Sequence, residues 1–397
     1  MKTSRLGVFS GALIVAGTSI GGGMLGLPVV TGPSGFLPSL LVLVSSWAFM
    51  TLTGLLFCEL CLWKKDQVNI LGLCRTTLGK NGTFLCWLLY LFLFYSLTIA
   101  YLVGGSNFIN DFIGVDLSPP GRIAIFVAIF VPLVLLGKRV IDPVNQLFMM
   151  GLLISYFGLV FIALPSISSN LLAHQNWIMI FKAFPIAFTA FAFQGTVPTL
   201  CSWMDYDGPK IRKALVVGTS ITLVSYILWQ LIFLGIVPKE GEHGLIATLR
   251  EGRDAVHPLQ YFTQNTAIWG FARAFGFFAL TTSFLGVGIG LVDFLRDGLA
   301  IVKKNFESML VLAIAAYAVP VIVAVLCPWM FLNALGLAGG IGCALLLGVM
   351  PIAMVYYAKL KQKTSFLENS ILGRTSFLLV LLTFAVFEII CEVISLI

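Results

Sequence analysis

Charge is scarce in this chain. Of 397 residues only 10% are Asp, Glu, Lys or Arg, and only three are histidine. Soluble domains carry roughly 25% charged residues, so a water-soluble fold is excluded, and disorder and coiled coil fail on the same numbers. Apart from Cys58 and Cys201, no ionisable side chain lies between Arg5 and Glu59 or between Lys182 and Asp205. Three scattered histidines (His174, His243, His257) and no paired His/Asp motif give an enzyme neither a metal site nor a nucleophile constellation. No filter-like segment repeats and no ring of charge is visible, which argues against a channel. A receptor would bring a sizeable soluble domain, yet the longest loop, residues 238–266, has room only for a small outer cap. Its His243 and His257 read as exposed polar residues.

Eight cysteines describe no disulfide framework. Cys58-x-x-Cys61 has the text of a redox or zinc motif, but it lies in an apolar stretch with no second pair. The thiols therefore read as buried or lipid-facing, and no metal is expected. Neither is a soluble cofactor.

What is abundant is apolar surface: 59% of residues fall in the AVILMFWYC set and the mean hydropathy is +1.01. A membrane span needs about 20 such residues. Eleven stretches qualify, near 6–30, 36–62, 83–106, 121–137, 144–165, 178–203, 214–237, 267–294, 308–327, 329–356 and 376–396. The last pair but one meets at Cys327, Pro328 and Trp329, where one bent element would reduce the count to ten. The chain thus reads as an all-α polytopic membrane protein, one transport domain over 1–397. Its halves are about 6–165 and 178–356, with an extra helix at about 376–396.

With the N-terminus on the cytoplasmic side, 18 of the 24 basic residues, from Lys2 and Arg5 through Lys303, Lys304, Lys363 and Arg374, fall on inner segments. The other 6 (Arg122, Lys182, Lys239, Arg250, Arg253, Arg273) fall in the outer half. Basic flanks resist translocation, so this asymmetry sets the N-terminus inside, and it accounts for the net charge of +7 without nucleic acid. Lys2 and Arg5 precede an apolar stretch with no small-x-small site after it, so the segment is expected to stay as an anchor among membrane lipids.

The informative segment is Gly17-Thr18-Ser19-Ile20-Gly21-Gly22-Gly23-Met24-Leu25-Gly26-Leu27-Pro28. It spells G-x-G-x-x-G, but a dinucleotide site needs a preceding strand and an acid about 20 residues on, and neither is present. Five glycines weaken a helix by roughly 5 kcal/mol relative to alanine, and backbone freed at membrane depth must line a cavity or meet protein. Close helix packing is the alternative; a packing motif spaces its small residues by four, and the run Gly21-Gly22-Gly23 exceeds that. Five helices later, Phe193-Gln194-Gly195-Thr196 precedes Pro198. Discontinuous helices 1 and 6 are what a five-plus-five inverted repeat predicts. Free N–H groups at such breaks suit a carboxylate and free carbonyls suit an ammonium group. With no fixed counter-ion nearby, a neutral zwitterion is favoured over a cation or a dicarboxylate.

These residues resemble the opening of the hydroxy/aromatic amino acid permeases, with the tyrosine carriers nearest and the tryptophan permeases close behind. The family string there is V-A-G-T-x-I-G-A-G-M-L-x-x-P, and this chain departs from it at Gly22, where alanine is usual. The resemblance implies an inverted-repeat transporter of eleven spans in a bacterial inner membrane, importing an aromatic amino acid by proton symport. It also implies that Gly17, Thr18, Ser19, Ile20, Gly21, Gly22 and Gly23, with Phe193, Gln194, Gly195 and Thr196, hold the substrate's amino and carboxyl groups. Tyr95, Thr98, Phe278, Thr281 and Thr282, at mid-depth in spans 3 and 8, would shape the side-chain pocket. The stretch from Asp207 to Lys213 is similar to a short cytoplasmic helix of such carriers, but by its residues it reads first as a basic topogenic loop.

Ionisable groups inside spans are costly and hence candidates for coupling. Glu59 is the first choice, beside Lys64 and Lys65. Asp293 lies beside Arg296. Arg273, in span 8, is a candidate partner for Glu388 or Glu392 in span 11. A carboxyl partly withdrawn from water takes up a proton more readily, so Glu59→Gln is expected to uncouple uptake while sparing exchange. Sodium is the competitor, with Thr281, Thr282 and Ser283 as an oxygen-lined site. Tyrosine, tryptophan and phenylalanine remain open as substrates.

Overall fold

The computed structural model describes residues 6–65, 69–299, 301, 306–362 and 371–396. Lys2, Arg5, Lys303, Lys304 and Lys363 lie outside the described residues. Helix dominates and no strand occurs among the described residues.

Among the described residues, ten helices are long and apolar enough to cross a membrane, and an eleventh span is a bent pair. Span 1 is that pair, Val8–Ser19 and Gly22–Thr31, bent by 59°. Spans 2 to 5 are Phe36–Trp63, Gly79–Ile113, Pro119–Leu136 and Lys138–Ala163. Span 6, Trp177–Trp203, is interrupted. Spans 7 to 9 are Gly208–Ile236, Thr266–Gly298 and Phe306–Leu326. Span 10 is Phe331–Leu360 and span 11 Thr375–Leu396. A break at 327–330 separates spans 9 and 10, so the bent-element reading there is set aside.

Two expectations about helix ends are corrected. Span 3 begins at Gly79 and continues to Ile113, well past the expected 83–106. Asp207 to Lys213 form no separate helix. Asp207 caps span 7, its Oδ1 accepting the Lys210 N–H at 3.3 Å, and the helix starts at Gly208. A carboxylate at that position meets orphan N–H groups and the positive end of the helix dipole.

Spans 2, 6 and 8 end at one face, where spans 3, 7 and 9 begin, and spans 7 and 9 end at the other, so the molecule has two faces. Lys64, Arg75, Lys210, Arg212 and Arg296 cluster at the ends that make the basic face. The opposite face, here the loop face, carries two short helices, Leu245–Arg250 and Val256–Phe262. Span 1 packs on span 7, span 5 on span 8, and span 7 on span 2. The hydrophobic belt is turned outward: Phe161, Ile154 and Ile322 are among many exposed apolar side chains, as lipid requires.

Candidate functional site

Three consecutive glycines let three other spans close on the first break. A Cβ at Gly21 would stand 2.3 Å from Ser283 Oγ in span 8, at Gly22 2.5 Å from the Tyr101 ring in span 3, and at Gly23 2.9 Å from Ala190 Cα in span 6. Ser283 uses that proximity: its Oγ accepts the Gly22 N–H at 3.1 Å. Packing and breakage are therefore the same feature here, and the two alternatives read from the glycines merge.

The second break follows Ala190. Phe191 N–H returns to Ala187 O (3.1 Å) and Ala192 N–H to Thr189 O (3.2 Å), then the chain re-enters a helix through the Thr196 N–H to Phe193 O bond (2.9 Å). Val197–Trp203 completes the span.

The two breaks lie side by side. Tyr226 of span 7, fully buried, places its Oη 2.7 Å from Ser19 O and 2.7 Å from Ala190 O. A phenol has one proton to donate, so the two carbonyls share it. Sequence reasoning missed Tyr226. A lone tyrosine mid-span carries no signal of its own; only the juxtaposition of the breaks singles it out.

Among the described residues, the N–H groups of Gly21, Gly23, Gln194 and Gly195 make no hydrogen bond, and neither do the carbonyls of Gly17, Thr18 and Ala192. Gly21, Gly23 and Gln194 are buried, and buried backbone groups are almost always paired, so the breaks offer places where a ligand's charged ends fit. Thr18, Gly195 and Gly286 are exposed although each sits within a span, and a Cβ at Gly195 or Gly286 would meet nothing within 4 Å. On the other side, every residue of Gly22–Thr31 is buried. The exposed positions thus lie on the halves of these spans nearer the basic face, while the half of span 1 toward the loop face is buried throughout.

Not every residue expected at the site turns into it. The Phe193 ring presses on Gly54 of span 2, where a Cβ would be 2.3 Å away. The Gln194 amide donates to Met50 O (3.1 Å) and Thr53 Oγ1 (3.3 Å) and accepts the Phe193 N–H (3.0 Å). Both side chains are occupied by the scaffold, so what these residues offer a ligand is backbone. Thr196 Oγ1 bonds back to Phe193 O. Ser19 is buried, Ile20 half-buried, and Gly17 stands against Met149 of span 5. Tyr95 donates to Ala315 O of span 9, Thr98 to Phe94 O, and Thr282 to Phe278 O. Phe278 packs tilted on Phe148 and edge-on to Phe277, against Gly151. Thr281 Oγ1 is buried without a partner.

The coupling candidates separate clearly. Glu59 pairs not with Lys64 or Lys65 but with Arg212 of span 7, through Nε–Oε1 at 2.5 Å and Nη2–Oε2 at 3.1 Å. Lys64 instead sits over the Trp63 ring. Planar two-point contact favours arginine over lysine. Asp293 pairs with Arg296 at 3.1 Å, as expected. Arg273 stacks on Trp269 at 4.3 Å. It does not pair with Glu388, whose two carboxyl oxygens are buried with no partner.

The loop face holds a pocket of about 460 Å³ lined by residues including Asp116, Arg122, Asp254, His257, Trp269 and Arg273. His243 and His257 are not bare surface residues: His243 stacks on Tyr261 with centroids 3.6 Å apart, and His257 Nε2 meets Arg253 Nη1. Burial, then the Arg253 and His243 charges, push His257 down to about 4 from its usual 6.5. The unfolded chain protonates first, so stability is expected to fall as pH drops from about 6.5 to 4. Thermal melts of His257→Gln should show that acid-side loss flattened; an unchanged pH profile would refute the assignment.

Comparison with known proteins adds three findings. A sequence model of the tryptophan/tyrosine permease family matches residues 4–392. Two transport proteins of Haemophilus influenzae are each 30% identical: tyrosine-specific transport system 1, over 87% of this chain and 87% of its own, and tyrosine-specific transport system 2, over 90% and 89%. The crystal structure of MhsT in complex with L-phenylalanine is similar with a TM-score of 0.67 at 16% identity, covering 99% of this chain and 98% of that one. At that identity the likeness speaks for the fold, a helical transporter fold.

Proposed function

We infer what this molecule carries from one premise: the chain belongs to the tryptophan/tyrosine permease family. It is a multi-pass membrane transport protein of an aromatic amino acid permease family, not an enzyme. We propose that its substrate is tyrosine, imported by proton symport across a bacterial inner membrane, with the basic face cytoplasmic and the N-terminus inside.

The observation that carries this reading is the pair of adjoining breaks. Free N–H groups of Gly21, Gly23, Gln194 and Gly195 offer a carboxylate its donors, and the carbonyls of Gly17, Thr18 and Ala192 offer an ammonium group its acceptors. No ionisable side chain stands between Arg5 and Glu59 except Cys58, which suits a ligand whose own charges cancel. Two tyrosine-specific relatives support tyrosine, and the phenylalanine held by MhsT supports an aromatic side chain in this fold. In this reading the halves, about 6–165 and 178–356, are inverted repeats that rock about the breaks, and an arrangement open to the basic face is the release state.

Sodium is the second reading, favoured by the partnerless Thr281 Oγ1 close in sequence to Ser283 at the break. Radiolabelled tyrosine uptake into proteoliposomes separates the two. Unlabelled tyrosine should compete best, tryptophan and phenylalanine less well, and lysine and glutamate not at all. Accumulation should collapse with a protonophore and survive removal of sodium at fixed pH. Uptake that needs sodium, or competes equally with lysine, overturns the proposal.

A further inference from the structure

We propose that Glu388 of span 11 is the group that loads the coupling proton, and that it is filled from the loop face by way of Glu392. The inference rests on the proton-symport reading above.

Of the coupling candidates read from the sequence, three have partners in the structure. Glu59 has Arg212, Asp293 has Arg296 and Arg273 has Trp269. Glu388 is fully buried, and neither of its oxygens meets a donor. A carboxylate so placed has no compensating charge or hydrogen bond, whereas the neutral acid is tolerated. Such a site holds a proton when closed and gives it up only when water or a donor is admitted, which is the behaviour a symporter needs.

Glu392 stands one helical turn nearer the loop face. It lines a pocket of about 180 Å³ together with Lys182, Asn333 and Ser395, and its Oε2 lies 3.3 Å from Ser395 Oγ. This pocket is a place for water beside Glu392, with Lys182 at its rim. The titratable groups that reach Glu388 are Glu392 and Cys391 on its own helix and Cys343 on span 10. Spans 2 and 6 present rings: Phe49 and Phe184 pack against Phe384, and Phe184 also against Phe387. Lys359, at the end of span 10, is held at the far end of span 11 by Gly373 O and Thr375.

A mechanical link runs from this acid pair to the break of span 6. Span 10 is π-helical over Ala338–Val349, a rare form that collects at functional sites. A Cβ at Gly340 would come within 2.4 Å of Glu392 Cβ, and one at Gly339 within 1.8 Å of Pro185 O in span 6. Thr189 Oγ1 donates to Leu335 O of span 10 at 2.7 Å, and the next residue, Ala190, carries the carbonyl shared through Tyr226. Span 10 is thus wedged between the acids and the break. In the cycle, one proton passes from loop-face water to the Glu392 carboxylate, then to Glu388, and returns to water on the basic face as the substrate leaves. Charge on Glu388 then bears on whether the wedge, and with it the break, can move.

The test uses full-length protein in proteoliposomes with tyrosine as probe. Wild type driven by an inward proton gradient, compared with wild type in counterflow without a gradient, tests the symport reading itself. Counterflow without gradient-driven accumulation in wild type would reject that reading whatever the variants do. Given wild-type accumulation, Glu388→Gln is expected to lower it at least about tenfold, to the equilibrium level, while counterflow stays within about threefold. Glu392→Gln is expected to slow the initial rate and leave the final level intact. A pH-sensitive dye inside the vesicles should show proton influx with tyrosine for wild type and Glu392→Gln, and none for Glu388→Gln. Accumulation and proton influx retained by Glu388→Gln would overturn the proposal. So would a parallel loss of counterflow, which marks a purely structural acid, or a sodium requirement that appears only when Glu388 is intact.

Discussion

Replacing Tyr226 by phenylalanine is expected to cut tyrosine uptake roughly tenfold while leaving the protein folded. The change removes one oxygen, but that oxygen stands 2.7 Å from both Ser19 O and Ala190 O. Each buried carbonyl left without a donor costs about 1–3 kcal/mol, and both lie at the edges of the breaks. The one proton they share is lost, and that cost biases the spans away from the arrangement that presents Gly21, Gly23 and Gly195 to a ligand, so tyrosine affinity should fall roughly tenfold. Tyr156→Phe is the control. Its hydroxyl donates to Ser225 O at 3.0 Å on the same span 7 and touches neither break, so its uptake should stay within about threefold of wild type. Binding measured by quenching or by scintillation proximity would decide. Equal behaviour of the two variants would show that Tyr226 is an ordinary packing residue.

Much of this fold was legible because the membrane simplifies the problem. Where water is absent, an apolar stretch of about 20 residues has almost no alternative to helix, and eleven spans follow from the sequence within a few residues at most ends. The breaks were legible for the same reason: Gly21-Gly22-Gly23 has no cheap explanation in an uninterrupted span. What hydropathy does not encode is which way a side chain turns once its helix is placed. Phe193 and Gln194 sit at the expected break, yet their side chains serve span 2, because Gly54 leaves room for a ring and Met50 O and Thr53 Oγ1 take up the amide. Glu59 was read against the lysines adjacent in sequence, while its partner Arg212 comes from 153 residues away. Arg212 lies in a stretch that reads as a basic topogenic loop, and nothing in that stretch points to a carboxylate on span 2. Glu388 was visible as a charge in a span, but its isolation depends on what spans 2, 6 and 10 bring against it.

The glycines at the breaks divide into two kinds, and substitution should tell them apart. At Gly23 a methyl group would stand 2.9 Å from Ala190 Cα and 3.2 Å from Ala190 N, both backbone, with no flexible side chain to yield. Span 1 and span 6 would have to separate, and overpacking of this kind costs about 1–3 kcal/mol. Because the strain falls on the contact that holds the two breaks together, Gly23→Ala is expected to lower both the melting temperature and uptake, the latter by at least about tenfold. At Gly195 the same methyl meets nothing within 4 Å, and the helix that follows should not notice it. There the new carbon enters open space at the break, where the ligand's backbone is placed. Gly195→Ala should therefore melt like wild type and raise KM for tyrosine, with the largest penalty for the bulkiest substrate, tryptophan. The pair discriminates a binding space from a packing seam. If both variants lose stability alike, the free N–H of Gly195 belongs to the scaffold; if Gly23→Ala transports normally, the two breaks are not held in the register that a shared ligand requires.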